Sequence, residues 1–168
     1  VSHAPLVKDI RGHEYQKPVT TMRNYLTAMD SALDMAAEAP EPAPVVLGAL
    51  RKNMLTLSAE HGAGAHPYFV PPEHTAWARD ILGPDAWLCP EQMLINETDP
   101  GRARQIARAH MSTYTGLPNY RNNLKQFGFE DADFEEGGSD KLVDAIVAWG
   151  DKQAHVDRIK AHWDAGAN

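Results

Sequence analysis

The sequence predicts an α/β fold in which parallel strands alternate with helices. The run at residues 44–47 is short, apolar and β-branched, which is typical of a strand buried on both faces. Two further apolar runs, at residues 65–70 and 87–96, follow it with a helical segment in each interval, as in parallel βα units. A closed (β/α)8 barrel typically needs about 250 residues, and this chain has 168. We therefore expect either part of such a barrel or a small open sheet.

Proline, glycine and capping residues mark the predicted helix ends. Residues 18–38 begin with a proline and repeat apolar side chains at three- and four-residue steps, which indicates a helix. Asp99 and Ser139 are the predicted N-caps of two later helices, and Gly128 is expected to end a shorter one at residues 120–127. The apolar residues from Leu142 to Trp149 are assigned to a single helix. Residues 1–15 show no period and are predicted to form a loop after a possible strand end at Val1.

Composition and charge narrow the classes of protein to which this chain can belong. A 43% hydrophobic content over 168 residues predicts one domain, residues 1–168, with its own core. The net charge of -7 argues against nucleic acid, whose phosphates require a basic face. No apolar run is long enough to cross a bilayer and no signal peptide is recognisable, so no membrane partner is expected. The single cysteine, Cys89, excludes an internal disulfide and fits a reducing cytoplasm. Both termini read as interrupted elements, which predicts a truncated chain.

Two glycine-rich stretches are candidate ligand contacts. Gly48-Ala49-Leu50-Arg51 follows the first strand and precedes a helix, so its backbone N–H groups and Arg51 could hold a phosphate. The alternative is an ordinary tight turn. The second stretch, residues 62–68, leads into the next strand, and its His66 could donate to a ligand or titrate near neutral pH. The alternative for His66 is a packing residue with satisfied hydrogen bonds.

The remaining polar candidates are less specific. His3 follows a possible strand end and could act as a general acid, or it could be a solvated terminal residue. The spacing of His61, His66 and His74 matches no zinc pattern, so no metal is predicted. Glu91 is either a structural anchor or a site residue, and the acidic run at residues 130–136 is predicted to be a solvated loop.

Five stretches together carry a family resemblance that covers essentially the whole chain in order. They are VSHAPLV, VVLGALRKNMLTLSAEHGAGAHPYFVPPEHTAWAR, LCPEQMLINETDPGRARQIAR, LPNYRNNLKQFGF and SDKLVDAIVAWGD. This set resembles the luciferase-like (LLM class) oxidoreductases, and most of all the actinobacterial branch that uses the deazaflavin coenzyme F420. The resemblance implies a partial (β/α)8 TIM-type barrel, whose parallel strands are roughly the fourth to the seventh of the barrel. The implied fourth strand ends at residues 1–3, and the other three cover residues 45–50, 65–70 and 87–96.

The resemblance also implies the site residues. His3 matches a position where some relatives carry a glutamate acid, and it is the implied catalytic residue. The residues implied to contact the coenzyme are Ser2, Gly48, Ala49, Leu50, Arg51, Gly64, Ala65 and His66.

The implied activity is an F420-dependent oxidoreductase that transfers a hydride between the deazaflavin and an unidentified small organic substrate. One alternative is the same fold using FMN and oxygen, a flavin monooxygenase. A second alternative is a non-catalytic barrel fragment that acts as a binding module for a partner. Because an isolated part of a barrel exposes strand edges and an apolar face, a homodimer is expected.

Overall fold

Helices dominate the computed structural model, which describes residues 3–4, 6–33, 41 and 43–168. Of the described residues, 61% are helical, and the strands among them are short and form two small parallel sheets. The predicted partial (β/α)8 TIM-type barrel is therefore wrong, and only a weak α/β character remains. The physical reason is that each strand contributes two residues of pairing, which is too short to build the wall of a barrel.

The helices and strands have the following bounds. The α-helices are α1 (Pro18–Leu33), α2 (Lys52–His61), α3 (Pro72–Leu82), α4 (Pro100–Thr115), α5 (Pro118–Leu124), α6 (Asp140–Ile146) and α7 (Lys152–Asp164). A π-helix covers Leu6–Ile10, and 3₁₀ turns cover Lys125–Phe127 and Asp131–Gly137. The strands are β1 (Val46–Leu47), β2 (Gly64–Ala65), β3 (Trp87–Leu88), β4 (Leu94–Ile95) and β5 (Ala148–Trp149).

The predicted helix caps are confirmed. The Asp99 side chain accepts the backbone N–H of Arg102 at 2.8 Å at the start of α4. The Ser139 hydroxyl accepts the backbone N–H of Leu142 at 3.1 Å at the start of α6. Gly128 ends the turn after α5 with a φ of 84°, a conformation that glycine adopts without steric cost. These ends were predictable because a cap acts over three or four residues of chain.

The first sheet contains β1, β2 and β3 in that order, all parallel. Gly64 stands at its centre, opposite Val46 on one side and Trp87 on the other. The predicted strands at residues 45–50 and 65–70 are longer than the observed ones. The second cannot continue because Pro67 has no N–H to donate to a ladder and Phe69 turns the chain with a φ of 60°.

The second sheet pairs β4 with β5 in parallel, with Leu94 opposite Ala148. The predicted strand at residues 87–96 is therefore two strands in two different sheets, separated around Pro90. The assignment of Trp149 to a helix is also wrong, because α6 ends at Ile146 and Val147 is extended, with φ −107° and ψ 128°. A continuous apolar run carries no period that separates a buried helix from a buried strand.

One of the N-terminal expectations needs a correction. The predicted loop at residues 1–15 contains the π-helix, and the helix predicted for residues 18–38 is described only to Leu33. Residues 34–40 and the predicted strand end at Val1 lie outside the described residues.

Three groups of buried side chains form the core of the described part of the chain. The largest joins α4, α5, α6 and the second sheet and is rich in aromatic and branched residues, whereas a second group lies against the first sheet and is built largely from alanine and leucine. The second group comprises Ala49, Leu55, Ala65, Ala78, Leu82 and Leu88. The third packs Leu26 of α1 against Leu47 and Leu57. Among the described helices, none is both long enough and apolar enough to cross a membrane.

Candidate functional site

A cavity of about 490 Å³ lies where β1 and β2 end. In parallel α/β sheets, ligands bind beyond the carboxyl ends of the strands, so this is the expected position for a site. The wall combines the loop after β1, the first turn of α2, two residues after β2, the start of α5, the start of α1 and the segment before α1. The lining residues are His3, Tyr15, Pro18, Val19, Gly48, Ala49, Leu50, Arg51, Lys52, Asn53, Met54, His66, Tyr68, Asn119 and Tyr120.

The loop of residues 48–51 leads directly into the N-terminus of α2. Among the described residues, no side chain caps this terminus. The N–H groups of Met54 and Leu55 bond to the Arg51 carbonyl, and those of Lys52 and Asn53 retain hydrogen-bonding capacity. A Cβ atom added to Gly48 would meet no atom of the described residues within 4 Å, which leaves open space beside the backbone. Uncapped N–H groups and the positive end of the helix dipole together favour an anionic ligand.

The charge of the lining agrees with that preference. Arg51 and Lys52 line the cavity, and no aspartate or glutamate does so among the described residues. Neither cation takes part in an ion pair in the described part of the chain. The chain as a whole has a net charge of -7, whereas the lining of this cavity carries positive charge.

His66 follows β2 and is held by a backbone contact. Its Nδ1 lies 2.5 Å from the carbonyl oxygen of Cys89. Since a carbonyl oxygen only accepts, Nδ1 carries the hydrogen. The Nε2 atom is then available to the cavity, as an acceptor when the ring is neutral and as a second donor when it is protonated.

Aromatic side chains form another part of the wall. Tyr68 and Tyr120 line the cavity, and the Tyr68 hydroxyl lies 3.1 Å from the hydroxyl of Tyr114. Burial raises the pKa of Tyr68, and burial raises that of Tyr120 to about 12. Both hydroxyls therefore stay protonated at neutral pH. Their neighbour Phe69 has a φ of 60°, which is a strained conformation for a bulky residue, and such strain is concentrated at binding and catalytic sites.

His3 lines the cavity and packs on Tyr120, with ring centroids 5.1 Å apart. Its Nδ1 atom is buried without a hydrogen-bond partner in the described structure. Burial lowers the pKa of His3, so the ring is neutral at pH 7. A neutral imidazole accepts a proton, and the predicted general-acid role therefore requires that His3 first be protonated.

The cavity brings together most of the sequence-predicted residues but not all of them. Its lining includes the predicted residues His3, Gly48, Ala49, Leu50, Arg51 and His66. Gly64 and Ala65 lie in β2 and do not line it. A Cβ on Gly64 would come within 2.7 Å of the carbonyl carbon of Trp87, so strand packing explains this glycine. Ala65 is fully buried in the core, and Ser2 lies outside the described residues.

Several lining residues were missed by sequence reasoning. Lys52 and Asn53 had a local signal, because they directly follow the candidate loop at a helix start. Asn119 and Tyr120 had none, since about seventy positions of chain separate them from the loop that they approach in the fold.

The three histidines whose spacing matches no zinc pattern have separate partners. His61 contacts Arg23, His66 contacts the Cys89 carbonyl, and His74 contacts the Leu50 carbonyl. Among the described residues, no group of three or more His, Cys, Asp or Glu side chains is arranged to hold a metal ion.

Comparison with known proteins adds no identification. The chain matches no protein-family model and no curated protein. The chemistry of the cavity therefore carries the functional inference.

Proposed function

We propose that the protein is an oxidoreductase that binds the deazaflavin coenzyme F420 in this cavity and exchanges a hydride with a small organic substrate. The observation that carries the proposal is the combination, in one cavity, of an uncapped helix N-terminus, two cationic side chains and an aromatic wall. A planar ring with an anionic tail needs these surfaces together. The proposal rests on the cavity and on the resemblance of the five stretches, and it does not use the barrel.

The residues present fit such a coenzyme. The volume of about 490 Å³ lies within the range of roughly 300–1,000 Å³ that is common for small-molecule sites. Arg51, Lys52 and the first N–H groups of α2 would hold the anionic tail, and the open space beside Gly48 admits it close to the backbone. Tyr68 and Tyr120 would contact the ring system through their aromatic faces and hydroxyls.

When bound, the deazaflavin supplies the carbon that accepts or donates the hydride. His3 is neutral at pH 7 because burial lowers its pKa. In the oxidation of an alcohol, His3 would accept the hydroxyl proton as the hydride leaves the adjacent carbon. In the reduction of a carbonyl, protonated His3 would return that proton to the oxygen. Tyr68 and Tyr120 remain protonated and would donate hydrogen bonds to the substrate oxygen.

The principal alternative coenzyme is FMN, in a flavin monooxygenase. The tail of F420 is longer and more anionic than the single phosphate of FMN and therefore needs more cationic partners. Arg51 was the sequence-predicted partner, and Lys52 and His66 share the same cavity. This donor set favours the longer tail.

A fluorescence titration with F420, and with FMN in parallel, tests the proposal. Arg51→Ala should weaken F420 binding about tenfold, the effect of losing one charge-assisted contact. Arg102→Ala is the matched control, since Arg102 is 74% exposed on α4, pairs with Glu97 and lies outside the cavity. Both variants remove one positive charge, so a specific site predicts a loss for Arg51→Ala alone.

The other outcomes are equally informative. Tighter binding of FMN than of F420 would favour the monooxygenase. An equal loss in both variants would indicate non-specific attraction of an anion. No binding of either coenzyme would reject the proposal and favour the non-catalytic binding module.

A further inference from the structure

We propose that His74, which lies outside the cavity, is a positioning residue that orients the peptide between Leu50 and Arg51 toward the bound anion. The identity of the anion rests on the proposed function, whereas the orientation of the peptide rests on the geometry alone. His74 lies in the first turn of α3 and is fully buried.

The contact between His74 and the loop is directional. The Nε2 atom of His74 lies 2.7 Å from the carbonyl oxygen of Leu50. Because the carbonyl oxygen only accepts, Nε2 must carry the hydrogen. The Nδ1 atom is buried and has no partner among the described residues. Burial lowers the pKa of His74, which agrees with a neutral ring protonated on Nε2 alone.

This bond determines which side of the peptide faces away from α3. The described chain contains no cis peptide bonds, and in a trans peptide the C=O and N–H groups point in opposite directions. Holding the Leu50 carbonyl on His74 therefore directs the Arg51 N–H away from α3. Leu50 and Arg51 both line the cavity. If the peptide rotated by half a turn, it would present a carbonyl oxygen, which repels an anion, in place of a donor.

The ring of His74 is itself held in place by aromatic neighbours. Its centroid lies 5.4 Å from that of Trp77 and 5.5 Å from that of Phe127, and Trp77 and Phe127 are 5.9 Å apart. These contacts restrict rotation of the imidazole. A donor with a fixed orientation is what a positioning residue needs, because a loose one would let the loop peptide change direction.

Two substitutions separate the hydrogen bond from the packing. His74→Leu fills much of the volume but removes the donor, and F420 binding should weaken about tenfold. His74→Gln retains a side-chain N–H near the position of Nε2 and should restore affinity to within about threefold of wild type. Thr75→Val is the matched control, because Thr75 is the next residue, is equally buried and bonds to His162 rather than to the loop. It should lower stability without weakening binding.

NMR spectroscopy of the free protein tests the geometry without a ligand. The imidazole nitrogens of wild-type His74 should show hydrogen on Nε2, and the Arg51 amide resonance should shift in His74→Leu but not in Thr75→Val. Hydrogen on Nδ1, or an Arg51 amide that is unchanged in His74→Leu, would overturn the positioning role. If wild-type protein binds neither F420 nor FMN, the proposed function fails, while these spectra still decide the role of His74. Equal affinity of wild type and His74→Leu for F420 would also overturn the positioning role of His74.

Discussion

The loop of residues 48–51 and the loop of residues 62–64 look alike in sequence and differ completely in the fold. Both contain glycine beside a short strand of the same sheet. Gly48 has open space where a side chain would stand, whereas a Cβ on Gly62 would lie 2.9 Å from the Val45 carbonyl oxygen and one on Gly64 2.7 Å from the Trp87 carbonyl carbon. The first loop lines the cavity, and the second is enclosed between strands.

This difference shows that glycine serves two separate purposes here. Ala63 donates its N–H to the Val45 carbonyl at 2.7 Å and accepts the N–H of Trp87 at 2.9 Å, so the enclosed loop is part of the sheet ladder. The open loop makes its anchoring contact through His74 and leaves its other side to the cavity. Substitutions in the enclosed loop should therefore affect folding, and those in the open loop should affect binding.

The largest expected effect is that of Gly64→Ala. The new Cβ would overlap backbone atoms of Trp87, and these cannot move unless β2 and β3 separate. The free energy of unfolding should fall by about 3 kcal/mol. Urea denaturation followed by tryptophan fluorescence measures this loss. A midpoint equal to that of wild type would show that the enclosed loop is as open as residues 48–51.

The second effect is the dependence of stability on pH, which we expect from a histidine enclosed in the interior. His162 lies between the Thr75 hydroxyl and the Gln92 side-chain oxygen, at 2.8 and 2.9 Å, and burial lowers its pKa from 6.5 to about 4. The unfolded chain therefore binds a proton at this residue at a higher pH than the folded chain does. The contribution of neutral His162 to the free energy of unfolding is fully present above pH 6.5. As the pH falls toward 4, up to about 3 kcal/mol of this contribution is lost.

Urea denaturation at a series of pH values between 7 and 4 measures this dependence. His162→Gln removes the titrating group and should give a shallower decline than wild type over the same interval. Parallel declines in the two proteins would contradict the assignment of this pH dependence to His162.

The third effect should appear in binding alone. Gly48→Leu places a side chain in the open space beside the loop, and F420 affinity should fall about tenfold because the tail loses room near the backbone. Thermal unfolding should change little. If Gly48→Leu instead lowered the melting temperature while F420 affinity was unaffected, the two loops would have exchanged roles.

The smallest effect is expected for Gly48→Ala. Gly48 does not have a positive φ, and its Cβ would have no neighbour within 4 Å in the described part of the chain. Replacing glycine by alanine at such a position reduces the freedom of the unfolded chain and should raise stability by less than about 1 kcal/mol. Thermal melts of Gly48→Ala and Gly64→Ala, measured side by side, give the sharpest contrast between the loops. A comparable loss of stability in the two variants would contradict the difference between them.

The sequence by itself determined the local features of this protein. Asp99 and Ser139 could be identified as caps because a cap and its partner lie three residues apart. Gly48 to Arg51 and His66 could be expected near one another, because the carboxyl ends of neighbouring parallel strands meet at one edge of a sheet.

Tertiary structure decided what depends on distant residues. The lengths of the strands depended on where Pro67, Phe69 and Pro90 interrupt pairing, and the partner of β4 was a strand hidden in an apolar run. The different roles of Gly48 and Gly64 depend on which backbone lies beside each glycine, and only the fold brings Trp87 against Gly64. In the same way, the contact of His74 with the Leu50 carbonyl joins residues 24 positions apart, and no local pattern encodes the direction of that bond.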